Sequence, residues 1–431
     1  MKNLRRVLAG VACLAVILGL GLYGCSKSGG TVIHISSWGT PEENQILSDL
    51  IADYNKAHQG ITVQLDRIPF NEYVTKLLTQ VAGGEAPDVI FVEVNNFAPL
   101  YLRGALESLN PYIQADHVDL SGYYPQVVDR FTVDGQTYVI PRDTAPIGLI
   151  FYNKKAFDEA GLAYPTDDWD WATFVADGKK LVKADATGKV VRWGFIDEWP
   201  NPDAWVCDAG GSYTDSVKHP TKWTYATDPD TLKGIQFRAD LMNKYKFMMT
   251  PASLTAMGGM GTSDMFVNGQ VAMYLSGLWP TPRFRQQIKD FKWDIVMMPK
   301  NPSGGRAFPT GGSGYGILKT SQHKKEAWDV VKFISGEEGE KRLAATGLAQ
   351  PALMADVNSP TFLDGKDPQN KKVVIEAMKY VKYFPICKNW FEVHDSIIGP
   401  ELDKVWSGTE TATEAMEHLK PLLEKNPPET N

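Results

Sequence analysis

From Thr31 onward, short β-branched runs alternate with apolar stripes at helical spacing. Thr31 to Ser36 (Thr-Val-Ile-His-Ile-Ser) predicts a strand. Thr40-Pro41-Glu42-Glu43 predicts a helix start, with Thr40 as N-cap, Pro41 at the first helical position and Glu43 completing a capping box. Ile46, Leu47, Leu50, Ile51 and Tyr54 then share one helical face, and Gly60 ends the element. Ile61 to Ile68 alternates as a second strand. Tyr73, Val74, Leu77, Leu78 and Val81 mark a second helix, closed by Gly83-Gly84. Asp88 to Val92 is nearly all apolar, as strands buried on both faces of a parallel sheet are. This β-α-β-α-β opening predicts a doubly wound α/β domain.

In such sheets ligands bind beyond the carboxyl ends of the strands. That rule selects Ser37-Trp38, Ile68-Pro69 and Glu93-Val94-Asn95-Asn96. Farther on, Thr137 to Asn153 reads as two extended runs around a Pro-bounded polar centre. Helices are predicted from about Lys154 to Ala160, ending at Gly161, and from Asp170-Trp171 to Leu181 with Asp170 as cap. Arg192 to Tyr225, rich in Trp, Gly, Pro and Asp, has weak periodicity and reads as long loops. Helices resume near Thr231 to Lys244 and Ser263 to Asn268. Strands follow at Val271 to Leu275, Trp293 to Met298 and Gly314 to Leu318, and the remainder from Lys324 to Lys425 is mainly helical.

The first 30 residues have a different character. Lys2, Arg5 and Arg6 precede an uncharged apolar stretch, Val7 to Leu20, of signal-peptide length. It ends in Leu22-Tyr23-Gly24-Cys25, which resembles a bacterial lipobox, although Tyr23 departs from the usual small or aliphatic residue. This reading makes 1–24 a lipoprotein signal peptide, Cys25 the lipidated residue and 25–30 a flexible tether; the alternative is an uncleaved anchor helix. Both put the rest of the chain outside the cytoplasmic membrane. The remaining length exceeds one core and predicts two domains. The chain carries net charge -7, and loss of Lys2, Arg5 and Arg6 leaves -10. An acidic surface argues against nucleic acid as partner. Cys207 and Cys387 remain, either paired or as two buried thiols.

Signatures of catalysis are missing from the sequence. There is no P-loop. Gly259-Met260-Gly261 and Gly312-Ser313-Gly314 lack the further glycine of a dinucleotide fingerprint. The seven histidines form no His-x-x-x-His and there is no Cys-x-x-Cys, so neither metal nor cofactor is expected. Tryptophan is abundant: all 12 lie beyond the leader. Trp faces stack on the C–H faces of sugar rings, while carboxylates and amides grip hydroxyls.

Several blocks resemble the family 1 extracellular solute-binding proteins, the cluster that contains maltodextrin-binding protein. They are Pro87 to Phe91 followed by Tyr101 to Leu109; Tyr138 to Asp143 through Phe151 to Lys154, then Phe157 to Leu162; Phe266 to Met273 with Ser276-Gly277-Leu278-Trp279; and Gly311 to Ile317 with Glu326-Ala327-Trp328 and Lys332-Phe333-Ile334. The resemblance implies two doubly wound α/β lobes joined by a discontinuous hinge, of the type II periplasmic-binding-protein kind. It implies an N-terminal lobe of 31–140 plus 271–312 and a C-terminal lobe of 141–270 plus 313–431. A small sugar would sit between the lobes, and the closed form would dock on ABC permease subunits, the chain acting as a lipid-anchored monomer and not as an enzyme.

Carried over residue by residue, the resemblance implies ligand contacts at Glu93 and Asn95, the latter where relatives often carry Asp. It implies a hydroxyl acceptor at Asp143, for which a hinge bridge with Arg142 is the alternative. Trp199, which follows Glu198, Trp205 and especially Trp279 are the stacking candidates. Gly312 and Ser313 would present backbone N–H groups. Trp38 lies after the first strand, and Trp390 faces either the cleft or the core. A secreted carbohydrate-active enzyme, or a sensor of the same fold, are the competing functions. Arg142 leaves a carboxylated sugar open as ligand.

Overall fold

The computed structural model describes residues 30–198, 202–258, 260–309 and 312–430, without the side chains of Asn71 and Asn95. The leader, Cys25, the tether up to residue 29 and Trp199 lie outside the described residues. No helix among the described residues is long and apolar enough to cross a membrane.

The chain begins in one lobe with strands β1 (Thr31–Ser37), β2 (Ile61–Arg67), β3 (Val89–Glu93) and β4 (Val139–Thr144). It crosses to a second lobe for β5 (Leu149–Asn153), β6 (Lys183–Ala184), β7 (Val190–Asp197), β8 (Val271–Ser276) and β9 (Trp293–Met297). It then returns to the first lobe for β10 (Ser313–Ile317) and β11 (Gln350–Pro351). The first sheet has the order β11-β4-β10-β3-β1-β2 and the second β9-β5-β8-β7-β6. After β11 the chain crosses again, and Lys372–Ala377 and the C-terminal helices join the core of the second lobe.

Local chemistry acts as expected in the opening half. Thr40 Oγ1 accepts from Glu43 N at 3.3 Å and Glu43 Oε2 accepts from Thr40 N at 2.9 Å, the reciprocal box that starts helix Pro41–Ala57. Gly84, at φ +76°, closes helix Tyr73–Gly83 in the left-handed region. Along β3, Val89 and Phe91 enter one core layer while Ile90 and Val92 enter the other, the two-residue alternation of a strand covered on both faces.

Two expectations need correction, and one alternative is settled. The lobe boundaries are exchanged in the second half: β8 and β9 belong to the second lobe, not the first, and β10, with the helix Lys324–Ile334 behind it, belongs to the first. Strand pairing is the reason. β8 pairs with β7 and β5, whereas β10 inserts between β3 and β4. Residues 192 to 225 are not all loops, because β7 spans Val190–Asp197 and a fully buried helix spans Asp203–Ala209. The strand pattern is masked there because Arg192 points inward, with Nη1 2.8 Å from Glu159 and Nε donating to Leu181 O. The two cysteines are free and buried, so the thiol alternative holds.

Candidate functional site

Strand direction brings two sheet edges together. β1 and β3 are parallel, and β4 is parallel to β3 because each pairs antiparallel with β10. The carboxyl ends of β1, β3 and β4 therefore share an edge with the start of β10, where Ser313 pairs with Glu93 on one side and Asp143 on the other. In the second sheet β7, β8 and β9 end on the edge where β5 begins, since Leu149 pairs with Ser276. Thr144 and Leu149 are five residues apart, at most about 18 Å of chain, so the two edges face each other across a cleft.

On the first lobe, Trp38 follows β1 and packs edge-on against Tyr73 at 4.5 Å and Phe70 at 5.5 Å. Phe70 is 53% exposed, the most accessible large apolar side chain among the described residues. It follows Ile68-Pro69, one of the strand ends selected from the sequence. Glu93 ends β3 and caps the next helix, Val94–Tyr101, its N–H donating to Asn96 Oδ1 at 2.8 Å. Asn95 lies in the first turn of that helix.

Asp143 is buried and fully engaged. Its Oδ1 accepts from Ser313 N at 2.9 Å, and its Oδ2 accepts from Ser313 Oγ at 2.7 Å and from Arg142 Nε at 2.7 Å. Arg142 Nη2 adds a further contact, and the guanidinium lies 4.2 Å from the Phe91 ring centre. The carboxylate thus ties β4 to β10 at the hinge, the alternative reading of this residue. It also takes the Ser313 N–H that was expected to face a ligand. Gly312, at φ +107°, turns into β10 with its carbonyl accepting from Val94 N.

On the second lobe, Trp279 Nε1 donates to both Glu198 oxygens at 3.0 Å, and Ser276 Oγ donates to Glu198 Oε2 at 2.5 Å. Burial foremost, with the charge of Glu43 across the cleft as a smaller contributor, pushes the Glu198 carboxyl up to about 7. The folded state therefore holds this proton more tightly than the unfolded chain. Stability is fully present below about 4.5 and falls as pH rises to about 7. Glu198→Gln should flatten the stability profile in that window; a variant profile parallel to that of the parent between pH 4.5 and 7 would contradict this.

The Trp279 ring lies directly on Gly277: a Cβ there would sit 1.9 Å from the ring. Gly277→Ala should therefore displace Trp279 and weaken ligand binding about tenfold or more while leaving far-UV circular dichroism unchanged; unaltered affinity would refute the contact. Trp279 also packs against the cluster of Leu343, Leu348 and Ala349, which belongs to the first lobe, so this ring bridges the cleft.

Trp205 is placed elsewhere than expected, and Trp390 takes the core alternative. Trp205 is fully buried among Phe174, Phe195 and Phe237, and Trp390 is 3% exposed against Tyr213, Phe384 and Trp223. Rings enclosed on both faces have no surface left for stacking. Glu198, Phe70, Glu43 and Ser276 are cleft residues that the sequence reading did not select. Identifying β7 as a strand would have found Glu198 by the strand-end rule. A surface concavity around Lys154, Lys292 and Lys366 lies at the far end of β5, remote from the cleft.

The family description "bacterial extracellular solute-binding protein" matches residues 38–341. The chain belongs to this family. Membership makes it an exported binding protein, and its fold is that of the type II periplasmic binding proteins. It is similar to an ABC substrate-binding protein from Listeria monocytogenes solved in complex with cycloalternan, at 28% identity and TM-score 0.82 over 92% of this chain and 99% of that one. A maltose-bound T. maritima protein shares the fold at 22% identity and TM-score 0.79, over 92% of this chain and 100% of the other. The lactose-binding protein of Rhizobium radiobacter is 25% identical over 306 residues, 68% of each chain. The relatives and the fold are those of substrate-binding proteins.

Proposed function

We propose that the chain captures a sugar or oligosaccharide in the cleft between its lobes and delivers it to the membrane subunits of an ABC importer. A lipid on Cys25 holds it at the outer face of the membrane, and it works as a monomer. The observation that carries this reading is the Trp279–Glu198 pair, an indole held by a carboxylate at the ends of β8 and β7. It offers a stacking face beside a hydroxyl acceptor, and Trp38 and Phe70 of the first lobe supply aromatic surface on the other side of the cleft. The cycloalternan, maltose and lactose named for the relatives support a saccharide. A ligand that touches both lobes binds the closed form more tightly and so shifts the population toward it, which is the signal a permease can read. Capture of this kind makes and breaks no covalent bond.

The test is titration of the purified protein with neutral and acidic mono- and oligosaccharides, followed by tryptophan fluorescence and calorimetry. Saturable one-to-one binding of an unaltered sugar supports the reading. No response to any sugar, or breakdown of one during the titration, overturns it. For the anchor, Cys25→Ala should move the protein from the membrane to the soluble fraction, and mass spectrometry should find acyl chains on the parent only. A variant that stays in the membrane would favour an uncleaved leader helix.

A further inference from the structure

We propose that Glu43 and Glu198, one from each lobe, form a carboxyl pair that sets the charge of the accepted ligand: saccharides bearing a protonated amine bind most tightly, neutral ones next, and those bearing a carboxylate least. This rests on the sugar-capture reading above. Glu43 stands in the first turn of helix Pro41–Ala57, just beyond the cleft end of β1. It lines a narrow cavity with Ile46, Arg142, Tyr315, Leu343 and Leu348. Leu343 and Leu348 also belong to the small apolar cluster against which Trp279 packs, and Trp279 is bonded to Glu198. The two carboxyls thus approach the same space from opposite lobes.

Each keeps capacity for a ligand donor. Glu43 uses Oε2 on Thr40 N, and its Oε1 makes no hydrogen bond among the described residues. Glu198 takes the one Trp279 N–H across both oxygens and Ser276 Oγ on Oε2, and Tyr274 also approaches it, so of a carboxylate's about four acceptor positions one remains. Burial raises both carboxyls, as expected where negative charge is poorly solvated. The positive charge at this edge is already matched: Arg142 gives Nε and Nη2 to Asp143 and lies over Phe91. Glu93 adds a third carboxylate at the end of β3. An ammonium entering this space gains charge-assisted hydrogen bonds in a setting of low effective dielectric, and a carboxylate meets like charge there.

The experiment is calorimetric titration at pH 7 with matched trimers of glucose, glucosamine and glucuronate, in α-1,4 and β-1,4 linkage. In whichever linkage binds, the glucosamine trimer should be about tenfold tighter than the glucose trimer and the glucuronate trimer about tenfold weaker. Glu198→Gln, and Glu43→Gln with it, should bring the three affinities within about threefold of one another. Neutral trimers that bind while the amine confers no gain, or while the uronate binds equally well, overturn the charge assignment and leave sugar capture standing. If no trimer of any charge binds, sugar capture falls and the assignment falls with it. The unmutated protein alone decides these outcomes, so they do not depend on the folding of either variant.

Discussion

Replacing Trp279 with alanine is expected to weaken saccharide binding by about 100-fold, roughly 3 kcal/mol. Three losses coincide in that one substitution. The stacking face disappears. Glu198 loses the indole N–H that bonds both its oxygens, and keeps Ser276 as donor. The cross-lobe contact with the Leu343, Leu348 and Ala349 cluster is removed, so the two lobes are held together less well. Trp279→Phe separates these terms, because it keeps an aromatic face and loses the donor; an intermediate loss of about tenfold is expected. Trp205→Phe is the control. That ring is sealed in the core of the second lobe, so its change should lower the unfolding midpoint and leave affinity alone. A Trp279→Ala variant that binds within about threefold of the parent would remove this residue from the site.

The second large effect is at the hinge. Asp143→Ala should destabilise the protein by about 3–5 kcal/mol, because it strips the partner from a largely buried guanidinium. It also leaves Ser313 N and Oγ without their acceptor at the junction of β4 and β10. Ser313→Ala should cost only about 1 kcal/mol, since one hydrogen bond is lost and the ion pair survives. Denaturant unfolding of the two variants measures the difference. Equal midpoints for Asp143→Ala and the parent would show that the bridge does not hold the hinge. If Asp143 instead gripped a ligand hydroxyl, the variant would lose affinity at unchanged stability.

Much of the first lobe was legible because its signals are local. The Thr40–Glu43 box, the 3.6-residue stripe after it and the two-sided apolar run of β3 each involve neighbours within a few residues, and all three stand in the structure as expected. Strand ends pointed to Trp38 and Glu93 and a short Gly-x-Trp block to Trp279, and the structure places all three at the facing sheet edges. Glu198 was missed because β7 hides its period. Arg192 turns inward to an ion pair with Glu159, and Gly194 lies so close to Gly178 that no side chain fits. A polar residue and a glycine at inward positions look like loop.

The sequence by itself determined the order of the opening strands and helices, the α/β class and the residues that begin and end those elements. All of these follow from propensity, capping and periodicity over one or two turns of chain. Only the tertiary structure decided which lobe each late strand joins. It sent Trp205 and Trp390 to the core and Trp279 to the cleft, and it made Asp143 a hinge bridge rather than a free acceptor. Those outcomes depend on pairing between residues more than a hundred positions apart, such as Ser313 with Asp143 and with Glu93. A hydrophobic pattern states that a residue will be buried; strand pairing across the fold selects the partner that buries it.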